Sequence, residues 1–387
     1  MAGHYNFSRI DTPILEKAEL FERGVGQATD IVEKQMFIVE TASGEKLALR
    51  PENTAGVARA YIEHGLSHLG QPLKLYYIGP MFRYEQPQEG RFRQFYQAGV
   101  EILGSDSDAI YDAQSILVCY RILEDLKINK LNIQINTVGC KNCRPLYRKK
   151  LQAYYKNKNV CKDCKRRIVS NPLRVLDCKE KICQPIKKEA PTMLDNICGY
   201  CGNHFRSVLE YLDELKLPYV LNHSLVRGLD YYNRTVFEIY ADGFDAALGG
   251  GGRYDYLVEM LGGRPTSAVG WAIGLERILM VLKKNNITFS QKCKPPIFFV
   301  HIGEQAKKRS LVIIEALRKG KIAVKEMLGR DSLKSQLRSA DKEGSKLALI
   351  FGQKEAFEDS IIIRDLQTGA QETVLISKVV EEVKKRL

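Results

Sequence analysis

Between Gly79 and Glu101 the chain reads "GPMFRYEQPQEGRFRQFYQAGVE", with Arg83, Arg91 and Arg93 set among glutamines, glutamates and aromatic residues. An arginine held on a strand is a planar, permanently charged fork suited to gripping phosphate. Residues two apart on a strand share a face, so Arg83 and Glu85 point one way, and Phe95, Gln97, Gly99 and Glu101 share a face of the returning strand. A face of Arg, Gln and Glu around a glycine suits a polar pocket better than a core; a two-sided surface ribbon is the other reading. "LVRGLDYYNRTVFEI" (Leu225–Ile239) adds Arg227 and paired tyrosines just ahead of a strand, where an ordinary turn with core tyrosines is the alternative. In "AALGGGGRYDYLVEMLGG" the run Gly249–Gly252 lets backbone approach a ligand where a Cβ would collide. It has neither the Lys-Ser/Thr ending of a P-loop nor the dinucleotide fingerprint. In "GLERILMVL" Arg277 falls in the first turn of a helix, where a cation opposes the helix dipole, so its work lies off the helix.

Eight of the ten cysteines fall in 140–201, as Cys140-x2-Cys143, Cys161-x2-Cys164, Cys178-x4-Cys183 and Cys198-x2-Cys201. A cytosolic chain keeps such thiols reduced, which favours metal over disulfides. Eight thiolates are the number needed for two tetrahedral zinc sites of four sulfurs each. The favoured pairing nests Cys161/Cys164 with Cys178/Cys183 inside Cys140/Cys143 with Cys198/Cys201. Free thiols in a helical insertion are the alternative, and no companion histidine suggests a cysteine nucleophile.

Elements able to position these groups can be read along the chain. Strands are expected over 8–14, 36–40 and 73–85, and helices over Thr54–Leu66 and Asp108–Leu126, the latter with Asp108 as cap. After "LNIQINTV" comes the Cys- and Lys-rich stretch, then helix "FRSVLEYLDELKL" and strand "RTVFEIYA". "KCKPP" (Lys292–Pro296) signals a linker, since its prolines bar a continuing helix. Beyond it, strands "IFFVHIG", "LALIFG" and "SIIIRDL" alternate with helices, the pattern of a small α/β domain. At 387 residues two or three domains are expected, and no apolar run approaches the length of a membrane span. The start, "MAGHYNFSRIDTP", lacks a signal-peptide pattern, so a cytoplasmic protein is expected.

The net charge of +13 is unevenly spread. Residues 140–190 hold 16 basic against 4 acidic residues and 295–387 hold 18 against 13, while 1–139 hold 14 against 18. Two separated basic modules suggest a polyanion gripped at two places. A solvated Lys-rich surface is the bland alternative.

With these stretches in view, the chain resembles the class II aminoacyl-tRNA synthetases, and among them the bacterial-type histidyl-tRNA synthetase family. "GPMFRYE…RFRQFYQAGVE" resembles motif 2, "GWAIGLERILMVL" motif 3, and "LVRGLDYY" with "ALGGGGRYD" the histidine-specific signatures. "ERGVGQATDIVEKQMF" and "LRPENTAGVARA" also resemble family segments, and the similarity covers essentially the whole chain. The resemblance implies an α+β fold: a six- or seven-stranded antiparallel sheet flanked by helices, a Cys-rich insertion, and a C-terminal α/β anticodon-binding domain. The corresponding boundaries are 1–139 and 206–291 for the catalytic core, 140–205 for the insertion and 295–387 for the anticodon-binding domain.

It further implies a two-step reaction, histidine plus ATP to histidyl-adenylate and pyrophosphate, then transfer to the 3′ end of tRNA(His), with Mg²⁺ and usually in a homodimer. By resemblance Arg83 and Arg227 act on the α-phosphate, and Arg91 on the distal phosphates. Phe95 and Arg277 sandwich adenine. Glu52, Thr54 and Gln97 surround the amino group, Glu101 and Tyr232 read the imidazole, and Gly249 and Gly250 floor the histidine pocket. Gln88 approaches the tRNA acceptor end. The zinc expectation rests on the cysteines themselves. The other class weighed is a catalytically silent synthetase-like regulator or histidine sensor, in which such arginines typically degrade. Asn53 and Gln86 stand where many relatives carry Gly and Arg. The segment ahead of "FSRIDTPILE", where the family has its motif 1 helix, is short, which bears on dimerisation and activity.

Overall fold

The computed structural model describes residues 1–27, 29–86, 88–288, 297–329 and 332–387. The expected linker Lys292–Pro296 lies outside them, between Thr288 and Ile297. The chain divides into two compact units, Met1–Thr288 and Phe289–Leu387.

Strands of the first unit are β1 (Ser8–Arg9), β2 (Leu15–Lys17), β3 (Phe37–Glu40), β4 (Lys46–Leu49), β5 (Leu73–Phe82), β6 (Gln94–Leu103), β7 (Leu131–Thr137), β8 (Tyr219–Leu221), β9 (Asn233–Ala241), β10 (Gly249–Arg253) and β11 (Ala268–Gly274). Eight form one sheet in the order β1-β5-β6-β11-β10-β9-β7-β8, and β2-β4-β3 form a second. The six inner strands, β5 to β7 in that order, pair antiparallel throughout. The two edge strands are the departure from an all-antiparallel sheet: β1 and β8 pair parallel with β5 and β7. Of the strand expected over 8–14 only Ser8–Arg9 forms, and β8, of three residues, is too short to show a pattern in sequence. The helix Gly199–Glu214 sends the chain back beside β7, as parallel pairing requires a crossover.

Alternation along the strands splits the core in two. One face presents Ile133, Ile135, Phe237, Ile239 and Trp271 to the helices Ala109–Asp125 and Gly199–Glu214, which bury Ile116, Leu123, Phe205 and Leu212 against them. Asp108 caps the first of these helices, accepting from Ile110 N at 2.9 Å. Fully buried Arg253 on β10 is paired, as a buried charge must be, with Asp112 of that helix and with Asp255 at 3.0 Å. The other face carries Tyr77, Met81, Tyr232, Val236 and Tyr254 in one apolar cluster with Tyr147, Leu151 and Tyr155 of helix Cys143–Tyr155. The cysteine-rich stretch thus shares a core with the sheet. It is otherwise built of short pieces: Lys162–Ser170, the 3₁₀ turns Pro172–Asp177, Lys181–Cys183 and Leu194–Asn196, and Gln184–Lys188.

The second unit is a mixed five-stranded sheet, β12 (Ile297–His301), β13 (Val324–Glu326), β14 (Leu347–Phe351), β15 (Ser360–Asp365) and β16 (Gln371–Leu375), in the order β13-β12-β14-β15-β16. β12 and β14 are buried along their whole length, because helices and loops cover both faces of this parallel centre. Among the covering helices are Glu304–Lys319, Leu333–Lys342 and Val379–Arg386.

Candidate active site

The hairpin β5–β6 sets Gly79 opposite Gln97 and Met81 opposite Phe95. Arg83 leaves the end of β5, and its Nε donates to the Pro51 carbonyl at 2.8 Å while its guanidinium lies 5.3 Å from the Phe95 ring centre. One cavity of about 150 Å³ is lined by Arg83, Arg91, Phe95, Gln97, Arg227, Gly249, Gly250 and Arg277. The hairpin's three arginines therefore separate: Arg93 stacks on exposed Tyr84 at 4.4 Å and is not part of this wall.

Arg227 comes from the loop ahead of β9. Its Nη1 donates to Glu238 on β9, and its guanidinium stands 5.9 Å from the Tyr232 ring. Burial opposes its charge most strongly, but the Glu238 carboxylate together with Tyr232 and Tyr231 outweighs burial, and the net shift is upward. Gly250 explains how the loop packs so close: a Cβ there would meet Arg227 Nη1 at 2.9 Å and the Phe237 carbonyl at 2.6 Å. The glycine run is thus a strand pressed between neighbours as well as a pocket wall. Arg277 donates to the Gly90 carbonyl at 3.1 Å and to Ala247 O at 2.8 Å, so it ties the hairpin loop and the segment before β10 together. Burial, then the like charge of Arg91, lowers its pKa. Burial likewise lowers that of Arg83. Among the described residues, Arg227 Nε and Gln97 Oε1 are buried with no hydrogen-bond partner, an arrangement that costs free energy until a ligand meets it.

Glu52, Thr54, Glu101 and Tyr232 form an adjoining buried cluster. Glu52 accepts from the N–H groups of Thr54 at 2.7 Å and Ala55 at 2.9 Å, at the start of helix Thr54–Glu63. Glu101, 1% exposed, accepts from Thr54 Oγ1 at 2.7 Å, Tyr254 OH at 2.5 Å and Tyr77 OH at 3.4 Å. Burial pushes its pKa up to about 8; the three hydroxyls oppose the shift and Glu52 adds to it. Its register partner is Gly270, where a Cβ would come within 1.8 Å of Glu101 Oε2. Only a glycine leaves that carboxyl its place.

Tyr77, Tyr254, Glu238 and Gly270 are not among the expected residues. Tyr254 stands two residues after the glycine run, and Tyr77 faces Gly99, two residues before Glu101, so period-2 reading of the hairpin points towards it. Tyr231, of the expected tyrosine pair, donates to Glu52 at 3.3 Å. Gln88 sits exposed at the loop tip, its carbonyl accepting from Arg91 N at 2.9 Å, outside the pocket. Asn53 is 1% exposed and accepts from Thr12 Oγ1 at 2.5 Å and from Arg50 at 3.3 Å, so it braces the wall from behind, away from the pocket entrance.

The eight cysteines gather in two groups, Cys140/Cys143/Cys198/Cys201 and Cys161/Cys164/Cys178/Cys183, with all Sγ atoms of a group within 4.8 Å of one another. Individual separations are 3.5 Å for Cys140–Cys143, 4.0 Å for Cys143–Cys201 and 3.8 Å for Cys161–Cys178. Backbone N–H groups point at the sulfurs, Cys198 N at Cys143 Sγ (3.1 Å) and Cys161 N at Cys183 Sγ (3.3 Å).

Comparison with known proteins places this geometry. A family model described as "Histidyl-tRNA synthetase" matches residues 2–163 and 181–278, and one described as "Anticodon binding domain" matches 296–386. A histidine–tRNA ligase of Desulforamulus reducens is 44% identical over 99% of this chain and 92% of its own length. The crystal structure of apo S. aureus histidyl-tRNA synthetase superposes with a TM-score of 0.81 at 32% identity, covering 99% of this chain and 92% of that one. A Bacillus halodurans structure described as an ATP phosphoribosyltransferase regulatory subunit/histidyl-tRNA synthetase shares the fold at 20% identity and a TM-score of 0.61, with 90% of each chain covered.

Proposed function

Because the chain belongs to the histidyl-tRNA synthetase family and is a histidine–tRNA ligase, we propose that the cavity between β6, β10 and the Arg227 loop is where histidine and ATP become histidyl-adenylate. The carboxylate of histidine attacks the α-phosphorus, the bond to the bridging oxygen breaks, and pyrophosphate leaves. The chain has little covalent chemistry to do; it aligns the two substrates and spreads charge. Arg83 and Arg227 meet the α-phosphate, Arg91 takes the distal phosphates, and Phe95 with Arg277 holds adenine between them. Glu52, Thr54 and Gln97 receive the amino group, Glu101 and Tyr232 the imidazole, with Gly249 and Gly250 as floor. Glu85 and Glu238 supply carboxylate oxygens to the same cavity, the donor type Mg²⁺ takes, and the ion would offset phosphate charge there. In the second step a terminal ribose hydroxyl of tRNA(His) takes the histidyl group, with Gln88 near the acceptor end.

The observation that carries this reading is the unpartnered Arg227 Nε and Gln97 Oε1 in a cavity that Arg83, Arg91 and Arg277 also line. It is tested by histidine-dependent ATP–pyrophosphate exchange. Exchange specific for histidine and lost in Arg227→Ala is expected; exchange retained in that variant would remove Arg227 from the reaction.

Each cysteine group suits one zinc. Tetrahedral Zn–S bonds of about 2.3 Å put sulfurs about 3.8 Å apart, which the 3.5–4.0 Å separations match. Four sulfurs close the coordination sphere, so these would be structural ions. The basic 140–205 stretch would hold the acceptor side of tRNA and 295–387 its anticodon, with 1–139 and 206–291 as the catalytic core. Homodimer formation is supported by Ile14, Leu15, Ile38 and Val39, all exposed on or beside the β2-β4-β3 sheet, and is checked by light scattering. Among the described residues no helix is long and apolar enough to cross a membrane, and we place the enzyme in the cytoplasm.

A further inference from the structure

The loop that presents Arg227 is gripped from outside the catalytic sheet. Arg174 donates through Nη1 to the Arg227 carbonyl at 3.3 Å and through Nη2 to Asp30 Oδ2 at 3.0 Å. Asn171 donates to both oxygens of Asp230, at 3.0 and 3.3 Å, and Arg144 donates to the Asp230 carbonyl at 3.2 Å. Asn171 and Arg174 are 2% and 8% exposed, so the donors of these part-buried bonds have little water to turn to if an acceptor moves away. On the other side Asp230 N donates to Val25 O at 2.9 Å. The loop is therefore held between the catalytic unit's first helix, Ala18–Val25, and the cysteine-rich insertion.

The two latch residues sit in a defined place. Helix Lys162–Ser170 begins at Cys161 and carries Cys164; Asn171 ends it, and the 3₁₀ turn Pro172–Asp177 that bears Arg174 runs straight into Cys178. The sulfur group Cys161/Cys164/Cys178/Cys183 thus closes the base of the loop whose tip is Asn171–Arg174. Cys161 and Cys178 also line a cleft together with Arg83, Arg91, Arg227 and Arg277. Residues 164–180 fall between the two stretches that the family model matches, so these latches lie outside what that model describes.

We propose that Arg174 and Asn171 are positioning residues for adenylate formation: they fix the backbone of Arg227–Asp230 from the insertion, so that the Arg227 guanidinium meets the α-phosphate at the right place. The insertion then serves the first step of the reaction as well as tRNA. An arginine is the residue for this task because its rigid fork spans two acceptors, a carboxylate and a carbonyl, that a lysine's point charge meets only one at a time. The proposal rests on the reading that Arg227 acts on the α-phosphate.

The test is histidine-dependent ATP–pyrophosphate exchange on the full chain, with rates expressed per active site counted from the adenylate burst. Misplacement by about 1 Å costs roughly a hundredfold in rate. Arg174→Ala is therefore expected to lower kcat about ten- to a hundredfold while the KM values for histidine and ATP stay within about twofold. Arg174→Lys recovers part of the loss, and Asn171→Ala falls in between. A role in folding alone would reduce the burst and leave kcat per site intact; that result overturns the proposal, as does unchanged exchange with tRNA charging impaired. Should Arg174→Ala not fold, Arg174→Lys and Asn171→Ala decide the matter, unchanged kcat in both overturning it. No histidine-dependent exchange in the parent chain would instead overturn the adenylate reading beneath the proposal, and the proposal with it.

Discussion

The buried pocket around Glu101 and the cysteine-rich insertion solve the same problem, holding polar groups still, by opposite means. In the pocket, register does it: Glu101 stands across from Gly270 and Gly250 across from Glu238 because six antiparallel strands are hydrogen-bonded along their length. Among the described residues the insertion has no strand of its own between Cys140 and Asn203; it is a chain of short helices and 3₁₀ turns with two knots of sulfur. Short helices are marginal without packing. The lesson is that rigidity in the sheet is built into the backbone network, and in the adjoining insertion is delegated to side chains that an ion would tie.

The largest effect separating the two should come from metal removal. In small zinc modules binding supplies on the order of 10 kcal/mol of folding free energy. Two zinc ions per chain are expected by atomic emission. Chelation should raise amide hydrogen exchange across 140–205 while the strands β5 to β7 stay protected; unchanged exchange in the insertion would mean that its apolar contacts suffice. Next comes Arg227→Ala, which removes one preorganised charge from the pocket. A loss of about 10²–10³ in the exchange rate is expected, with protection of the insertion unaltered.

Glu101→Gln probes the pocket through stability. Folded Glu101 keeps its proton up to about pH 8, whereas an unfolded glutamate loses it near 4.5. Between those values the unfolded state binds fewer protons, so the parent's stability falls as pH rises through this window. Glutamine has no such dependence. The variant's advantage in Tm should therefore grow from pH 5 to pH 8 and then level off; an advantage that shrinks would show the carboxyl ionised in the fold. The smallest effect expected is Tyr254→Phe, which deletes one hydrogen bond to Glu101. It should weaken histidine binding by about 1–2 kcal/mol, read as KM, with ATP unaffected.

Much of this arrangement is legible in the sequence. The hairpin's period-2 faces bring Arg83, Gln97 and Glu101 into view, the glycine run marks a close backbone approach, and the cysteine spacings group into two sets of four. What escapes such reading has a common cause. Tyr77, Tyr254 and Glu238 owe their roles to which residue faces which across strands, and register is a property of the assembled sheet. Asn171 and Arg174 are ordinary polar residues in a basic stretch, and their partners lie 59 and 53 positions away. Strand β8, of three residues, carries no pattern to detect, and of the strand expected over 8–14 only Ser8–Arg9 pairs.

One detail of the sulfur groups sets an order in time. Among the described cysteines Cys198 alone is exposed, while its partners Cys140, Cys143 and Cys201 are buried, and in the other group only Cys161 is even partly open. An electrophile in the surrounding solution meets the first group at Cys198 long before it meets the group beneath Arg174. Chemical ageing of the protein would thus begin at the outer group, beside Arg144 and its bond to the Asp230 carbonyl, and reach the group beneath Arg174 later.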